Sequence, residues 1–142
     1  MLTSLALAFI GCCEWDDDDK NPSQVVSAVV DGKFFIATEI TGINFNGEYT
    51  VLAKDNTWNV EINISQAIDG PGTYEVSDGG ITEVIFSSEN DVIYLTSATM
   101  VITKLTGTRV EATFYGQGSS YGADEIVSIT NGIVKATVEI RE

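Results

Sequence analysis

Two adjacent thiols, Cys12 and Cys13, are the chain's only cysteines, and there is no histidine to work with them. Those two facts remove Ser-His-Asp and Cys-His catalysis and any imidazole-ligated metal site. A thiol in this setting can still accept lipid. Cys12 follows an apolar run, Leu2 to Ile10, and the small residue Gly11; the acidic stretch Glu14-Trp15-Asp16-Asp17-Asp18-Asp19-Lys20 comes directly after. An apolar run of that length suits a signal-peptide h-region and falls far short of the roughly 20 residues of a membrane-spanning helix. The pattern reads as a bacterial lipoprotein signal. Residues 1–11 are then a signal peptide, the Cys12 thiol carries lipid, residues 12–24 form an acidic tether, and residues 25–142 form one β domain. Two departures are visible: no Lys or Arg precedes Lys20, and Phe9 stands where Leu is commoner. The alternatives are a first strand or helix of the folded domain over Leu2 to Ile10, and a disulfide between Cys12 and Cys13, which adjacent cysteines form only with strain. Because both cysteines lie in this segment, the domain is expected to hold no disulfide framework, no zinc site and no cofactor.

Four consecutive aspartates repel one another, resist helix and strand, and stay hydrated, so Asp16 to Asp19 make a solvated spacer. Glu14 with Asp16, Asp17, Asp18 and Asp19, just after the lipidated cysteine, is also similar to the signal that exports lipoproteins of the phylum Bacteroidota to the cell surface. The expected location is the outer membrane, held by the lipid, on the cell surface, with its periplasmic face as the alternative. The formal net charge of the chain is −14, and Glu14 to Lys20, with five acids and one lysine, leaves −10 on the remainder. Such a surface repels phosphate backbones and anionic headgroups, which argues against nucleic acid and against direct adhesion to a bilayer.

After Asn21-Pro22-Ser23 the chain reads as strands and turns. Turn signals recur at Asp31-Gly32, Asn46-Gly47, Asp69-Gly70-Pro71-Gly72, Ser77-Asp78-Gly79-Gly80, Glu89-Asn90-Asp91, Thr106-Gly107 and Asn131-Gly132. Asp31-Gly32 and Asn131-Gly132 have the chemistry of two-residue hairpins. Between the turns the period is two. Trp58, Val60, Ile62 and Ile64 share a face opposite Asn59, Glu61 and Asn63; Val110, Ala112 and Phe114 alternate with Arg109, Glu111 and Thr113. Val134, Ala136, Val138 and Ile140 alternate with Lys135, Thr137 and Glu139. The runs Phe34 to Ala37 and Val92 to Leu95 are apolar throughout and predict cover on two sides. Gly116-Gln117-Gly118 opens a stretch that reads as an irregular inter-strand loop to Glu125, without the helix or lysine of a phosphate loop. Strands are expected at 25–30, 33–41, 48–54, 58–64, 73–76, 81–87, 92–96, 99–105, 108–116 and 125–140. The fold class is all-β: an antiparallel β-sandwich or flattened barrel of about nine or ten strands.

Several of these segments also carry a resemblance. Val30-Asp31-Gly32-Lys33-Phe34, Gly72-Thr73-Tyr74, Ile102-Thr103-Lys104-Leu105, Arg109 to Phe114 and Val127 to Gly132 follow one another in an order similar to that of a family of uncharacterised Bacteroidota lipoproteins. In that family an Asp-Gly-Lys-Phe-like opening precedes a Gly-Thr-Tyr turn, a Thr-Gly-Thr-Phe-like strand and a closing Thr-Asn-Gly-Phe hairpin. Here Arg109 to Phe114 lacks that strand's usual glycine, and Ile133 stands where Phe is commoner. The resemblance spans roughly Val25 to Val138. It implies an all-β fold and a lipid anchor, and brings no activity with it.

The remaining chemistry is in oxygen ligands and aromatic rings. Glycoside hydrolysis needs two carboxyls roughly 5 to 9.5 Å apart across a cleft. Glu61, Glu75, Glu83, Glu111 and Glu139 lie in or beside strands, on wet faces or flanking turns. Asp55-Asn56, Glu89-Asn90-Asp91 and Asp124-Glu125 offer oxygens to calcium, but none has the spacing of a binding loop, and no metal site is assigned. Tyr115 should point outward beside Phe114, and Tyr121 falls in the long loop, so these two are the candidate platform for a sugar ring. Tyr49 and Tyr74 begin strands, and Trp58 falls on the buried register. The expected function is a non-enzymatic binding module for a glycan or a protein partner. The alternatives are a structural subunit of an envelope complex and, less favoured, a carboxylate-dependent glycoside hydrolase.

Overall fold

The computed structural model describes residues 24–121 and 125–142, all of them in strands and connections, with no helix among them. The strands are β1 (Val25–Val30), β2 (Lys33–Ile36), β3 (Glu39–Phe45), β4 (Glu48–Lys54), β5 (Asn59–Ile64), β6 (Gly72–Val76), β7 (Thr82–Ser87), β8 (Val92–Thr106), β9 (Arg109–Ser120), β10 (Glu125–Thr137) and β11 (Glu139–Arg141). They form one eleven-stranded sheet in the order β11-β3-β4-β5-β7-β6-β8-β9-β10-β1-β2. Of the expected architectures it is the barrel-like one: a single sheet curled on itself. The sheet is mixed, because β11 pairs parallel to β3 and β6 parallel to β7.

Chain continuity dictates the curl. β10 and β11 are separated only by Val138, yet one pairs with β9 and β1 while the other pairs with β3. β2 and β3 are likewise one descending run, separated by Ala37 and Thr38. The Ala37 N–H donates to the Val26 carbonyl at 2.9 Å, and the next N–H, of Thr38, donates to the Lys54 carbonyl at 2.8 Å. The chain thus changes partner between two consecutive residues. Where the two run-on strands meet, the backbone of Gly42 lies so close that an added Cβ would stand 2.6 Å from the Thr137 carbonyl oxygen and 2.7 Å from Val138.

Strict alternation fills the curl with apolar side chains. Val60, Ile62 and Ile64 of β5, Val110, Ala112 and Phe114 of β9, and Val134 and Ala136 of β10 are buried as their period predicts. Phe35 packs edge-on against Phe86 at 5.9 Å, and Trp58, half-buried, meets Phe86 from another side at 6.1 Å. An apolar inside and a largely polar outside is the reverse of a lipid-spanning barrel. Among the described residues no helix is long and apolar enough to cross a membrane.

Several local expectations are corrected. Asp31-Gly32 is a hairpin turn with both residues at positive φ, 50° and 85°, and Asn46-Gly47 repeats it at 54° and 92°. Asn131-Gly132 is not a hairpin. It is a bulge within β10, where Thr130 and Asn131 together oppose Tyr115, and the strand runs on in the same direction. Gly132 is required there because the Phe114 ring lies on its backbone, 2.6 Å from where a Cβ would be. The stretch from Gly116 to Ser120 is strand rather than loop. Its glycines admit close neighbours, Gly116 against Ala98 and Gly118 against Ile93 and Tyr94. The two strands expected over 92–105 are one, β8, interrupted by an extra residue at Thr96 and another at Thr103.

The run 33–41 divides at Ala37, and β3 extends on to Phe45. Asn44 is buried in it because its amide donates to the Gly107 carbonyl at 3.0 Å and its oxygen accepts the Gly47 N–H at 2.8 Å. Phe34, 79% exposed, and Ile36 are not covered on two sides, since β2 is an edge of the sheet. Ile140 leaves the buried face because the chain changes partner at Val138.

Gly42→Ala is expected to cost about 1–3 kcal/mol, the range for overpacking a closed interior. Gly70→Ala, where a Cβ meets nothing within 4 Å, should stay within about 0.5 kcal/mol. Urea unfolding of the two variants measures the difference, and equal losses would show that the seam is not tightly packed.

Candidate functional site

Registers assemble on the outer face what the sequence scatters. Thr41 pairs with Leu52, Leu52 with Glu61, Glu61 with Ile85, Ile85 with Tyr94, Tyr94 with Ser119, and Ser119 with Ile126. This row crosses β3, β4, β5, β7, β8, β9 and β10 near the end of the sheet where β8 begins and β9 finishes. The row beside it runs Glu39, Lys54, Asn59, Ser87, Val92. Together they line a groove of about 340 Å³ whose walls include Glu39, Thr41, Leu52, Lys54, Asn59, Glu61, Ile85 and Ser87. Glu39 and Lys54 form an exposed ion pair across it at 3.6 Å, a contact of small energetic weight at such exposure.

One strand beyond the groove stand two aromatic rings. Tyr94 follows Ile85 in the row, and the Tyr121 ring leans on it with centroids 5.3 Å apart at 56°. The Tyr121 N–H donates to the Val92 carbonyl at 2.9 Å, which fixes the ring's backbone although the side chain is 75% exposed. Ile126, also exposed, adjoins on β10.

The two tyrosines proposed from sequence are therefore both outward, but not together. Tyr115 is 53% exposed and pairs with Thr99; six residues along β9 separate it from Tyr121, roughly 20 Å at strand rise. The ring that does join Tyr121 is Tyr94, which sequence reasoning missed by reading Val92 to Leu95 as covered on both sides. Tyr49 and Tyr74 are structural: their hydroxyls donate to the carbonyls of Thr106 and Gly70, each at 2.8 Å.

Of the carboxylates, Glu61 and Glu83 do come together. The Asn63 amide nitrogen donates to Glu61 at 2.9 Å and to Glu83 at 3.1 Å, while its oxygen accepts from Thr50 at 3.1 Å. The amide thus occupies the space between the two carboxylates, where a glycosidic oxygen or attacking water would have to stand. Asp55 is engaged by its own turn, accepting the N–H groups of Thr57 and Trp58 at 2.7 Å. Asp91 accepts the buried Ser120 hydroxyl at 2.7 Å. No three acidic, cysteine or histidine side chains converge to hold a metal ion among the described residues. Cys12, Glu14, Asp16, Asp17, Asp18, Asp19 and Asp124 lie outside the described residues.

Fold and surface together define a small curled-sheet β protein with one outer face of mixed polar and aromatic character. A family model described as a domain of unknown function (DUF6252) matches residues 22–137, and the chain belongs to that family. Neither the curated proteins nor the solved structures contain a match to it.

Tyr121→Ala is expected to lower stability by no more than about 1 kcal/mol, because the ring is mostly in water and loses only its contact with Tyr94. A urea-unfolding loss well above that would make Tyr121 a structural residue.

Proposed function

We propose that this chain is a Bacteroidota envelope lipoprotein whose β domain recognises a glycan or a partner protein and performs no catalysis. In this reading Cys12 carries the lipid in the outer membrane, and Glu14 with Asp16 to Asp19 directs the protein to the cell surface rather than leaving it on the periplasmic face. The observation that carries the recognition reading is the outer row with its aromatic pair, half-buried Tyr94 and exposed Tyr121, which the interior packing does not require.

The position of the chain's entry into the domain supports it. Gln24 lies where β10 ends, its side-chain oxygen accepting the Thr137 N–H at 3.0 Å. The tyrosines lie toward the other end of β10, where it begins, whereas the groove's Glu39 and Lys54 lie nearer the entry, since Ala37, bonded to Val26, leads into Thr38, bonded to Lys54. A domain tethered at residue 24 therefore presents the aromatic pair, rather than the groove, away from its anchor. Thirteen tether residues span at most about 45 Å when extended, enough to hold the domain clear of lipid headgroups. The negative net charge supports partners other than nucleic acid. The amide set between Glu61 and Glu83 supports binding without hydrolysis.

One observation favours the second reading, a structural subunit of an envelope complex. Among the described residues β2 ends the sheet, carrying exposed Phe34 and Ile36, and such edges accept strands from partners.

The anchor is tested by fractionating cells that express the full chain or its Cys12→Ala variant. The variant is expected to leave the membrane fraction and to lose incorporation of labelled palmitate. A variant that remains membrane-bound contradicts the lipoprotein reading. Replacing Asp16 to Asp19 with asparagine should protect the protein from protease added to intact cells, and unchanged cleavage would show that the acidic run does not direct display.

A further inference from the structure

We infer that the outer face running from the groove on β3, β4, β5 and β7 to Tyr94 on β8 and Tyr121 just past β9 is a binding site for a neutral oligosaccharide. The inference rests on the recognition reading above and names its ligand class.

The groove's volume, about 340 Å³, falls at the lower end of the roughly 300–1,000 Å³ usual for small-ligand sites. Its floor is apolar where Leu52 and Ile85 lie. Its rim carries acceptors on Glu39 and Glu61, donors on Lys54, and the Asn59 amide, which does both. A pyranose ring has the matching composition, with apolar C–H faces and a circumference of hydroxyls that each donate and accept. Tyr94 stands one strand further along the same row, with the Tyr121 ring leaning on it. Their rings supply the flat apolar surface on which such a face stacks, with the phenol groups left to reach hydroxyls.

Other ligand classes fit less well. A phosphate or uronate would meet two carboxylates and one already paired lysine on a chain of net charge −14. A protein partner of ordinary affinity covers about 800 Å² per side around an apolar centre depleted in charge. Here Glu61 stands between Leu52 and Ile85 in the row, so a carboxylate interrupts any such centre. From Leu52 on β4 to Tyr94 on β8 is three strand spacings, about 14 Å, which is longer than one sugar ring. The ligand is therefore an oligomer.

The test is calorimetric titration of the full chain in detergent micelles with neutral hexose oligomers of about four to six units, in α-1,4, β-1,4 and β-1,3 linkages. Binding of at least one series is expected. Tyr121→Ala and Tyr94→Ala should each weaken it about ten-fold or more, a loss of the size that stacking rings supply with their buried area. Glu61→Gln should weaken it, and Tyr115→Ala should leave it within about two-fold. A Tyr121→Ala chain that still unfolds in one cooperative urea transition, with no more than the small loss expected above, keeps the comparison free of folding effects. Absence of binding at millimolar oligosaccharide, or equal affinity in Tyr121→Ala, overturns the proposal. If the native chain instead captures a protein that Tyr121→Ala loses, the saccharide is overturned while the recognition reading stands. Failure of the Cys12 experiment would remove the anchor without touching either.

Discussion

The close contact of Gly42 with the end of β10 is the constraint on which the rest of the structure depends. Two stretches of chain, 33–45 and 125–141, each serve two neighbours in succession, and both change partner within one or two residues. An open sheet of this order would leave β10 and β3 far apart, yet Val138 alone joins β10 to the strand beside β3. The sheet must therefore curl until those backbones touch, and only a residue without a side chain lets them approach this closely. Once curled, the sheet has a single interior, and Phe35 of β2 reaches Phe86 of β7 across it.

Closure also explains how the outer face can carry function at little cost to folding. The interior is filled by one parity of each strand, so the other parity is free to vary wherever it faces water. Bulges make the arrangement less regular. The extra residues at Thr96, and at Thr130 and Asn131, bend the long β8 and β10 around the curl. Gly116 and Gly118, which pair with residues flanking these bulges, let β8, β9 and β10 approach closely toward Tyr94, Tyr121 and Ile126. Tyr94 therefore sits on a strand held by neighbours on both sides, and Tyr121, just past the end of β9, is tied to that strand by its N–H bond to the Val92 carbonyl.

Alternation made most of the interior legible in the sequence: Val60, Ile62, Ile64, Val110, Ala112, Phe114, Val134 and Ala136 all point where period two puts them. The partner changes were not legible, because a strand that switches neighbours has the same local pattern as one that does not. Asn131-Gly132 misled for a related reason. Positive φ serves a tight hairpin and a bulge equally well, and only the register across from Phe114 decides between them. Gly116 and Gly118 read as loop because glycine weakens a strand, whereas here they answer the approach of Ala98 and Tyr94. The site was half visible. Tyr121 and its exposure could be read from its neighbours; Tyr94 and the groove could not, since they join it through registers between strands distant in sequence.

If this outer row, and no other face, meets the ligand, the backbone amides of its residues respond to binding. Amide chemical-shift mapping of the isotope-labelled full chain in micelles, titrated with the neutral hexose oligomer that binds best, tests it most directly. Shifts are expected at Leu52, Asn59, Glu61, Ile85, Tyr94 and Tyr121, with Tyr115, Phe34 and Ile36 unmoved. Shifts centred on Tyr115 or on the β2 edge, or none at all, would contradict it.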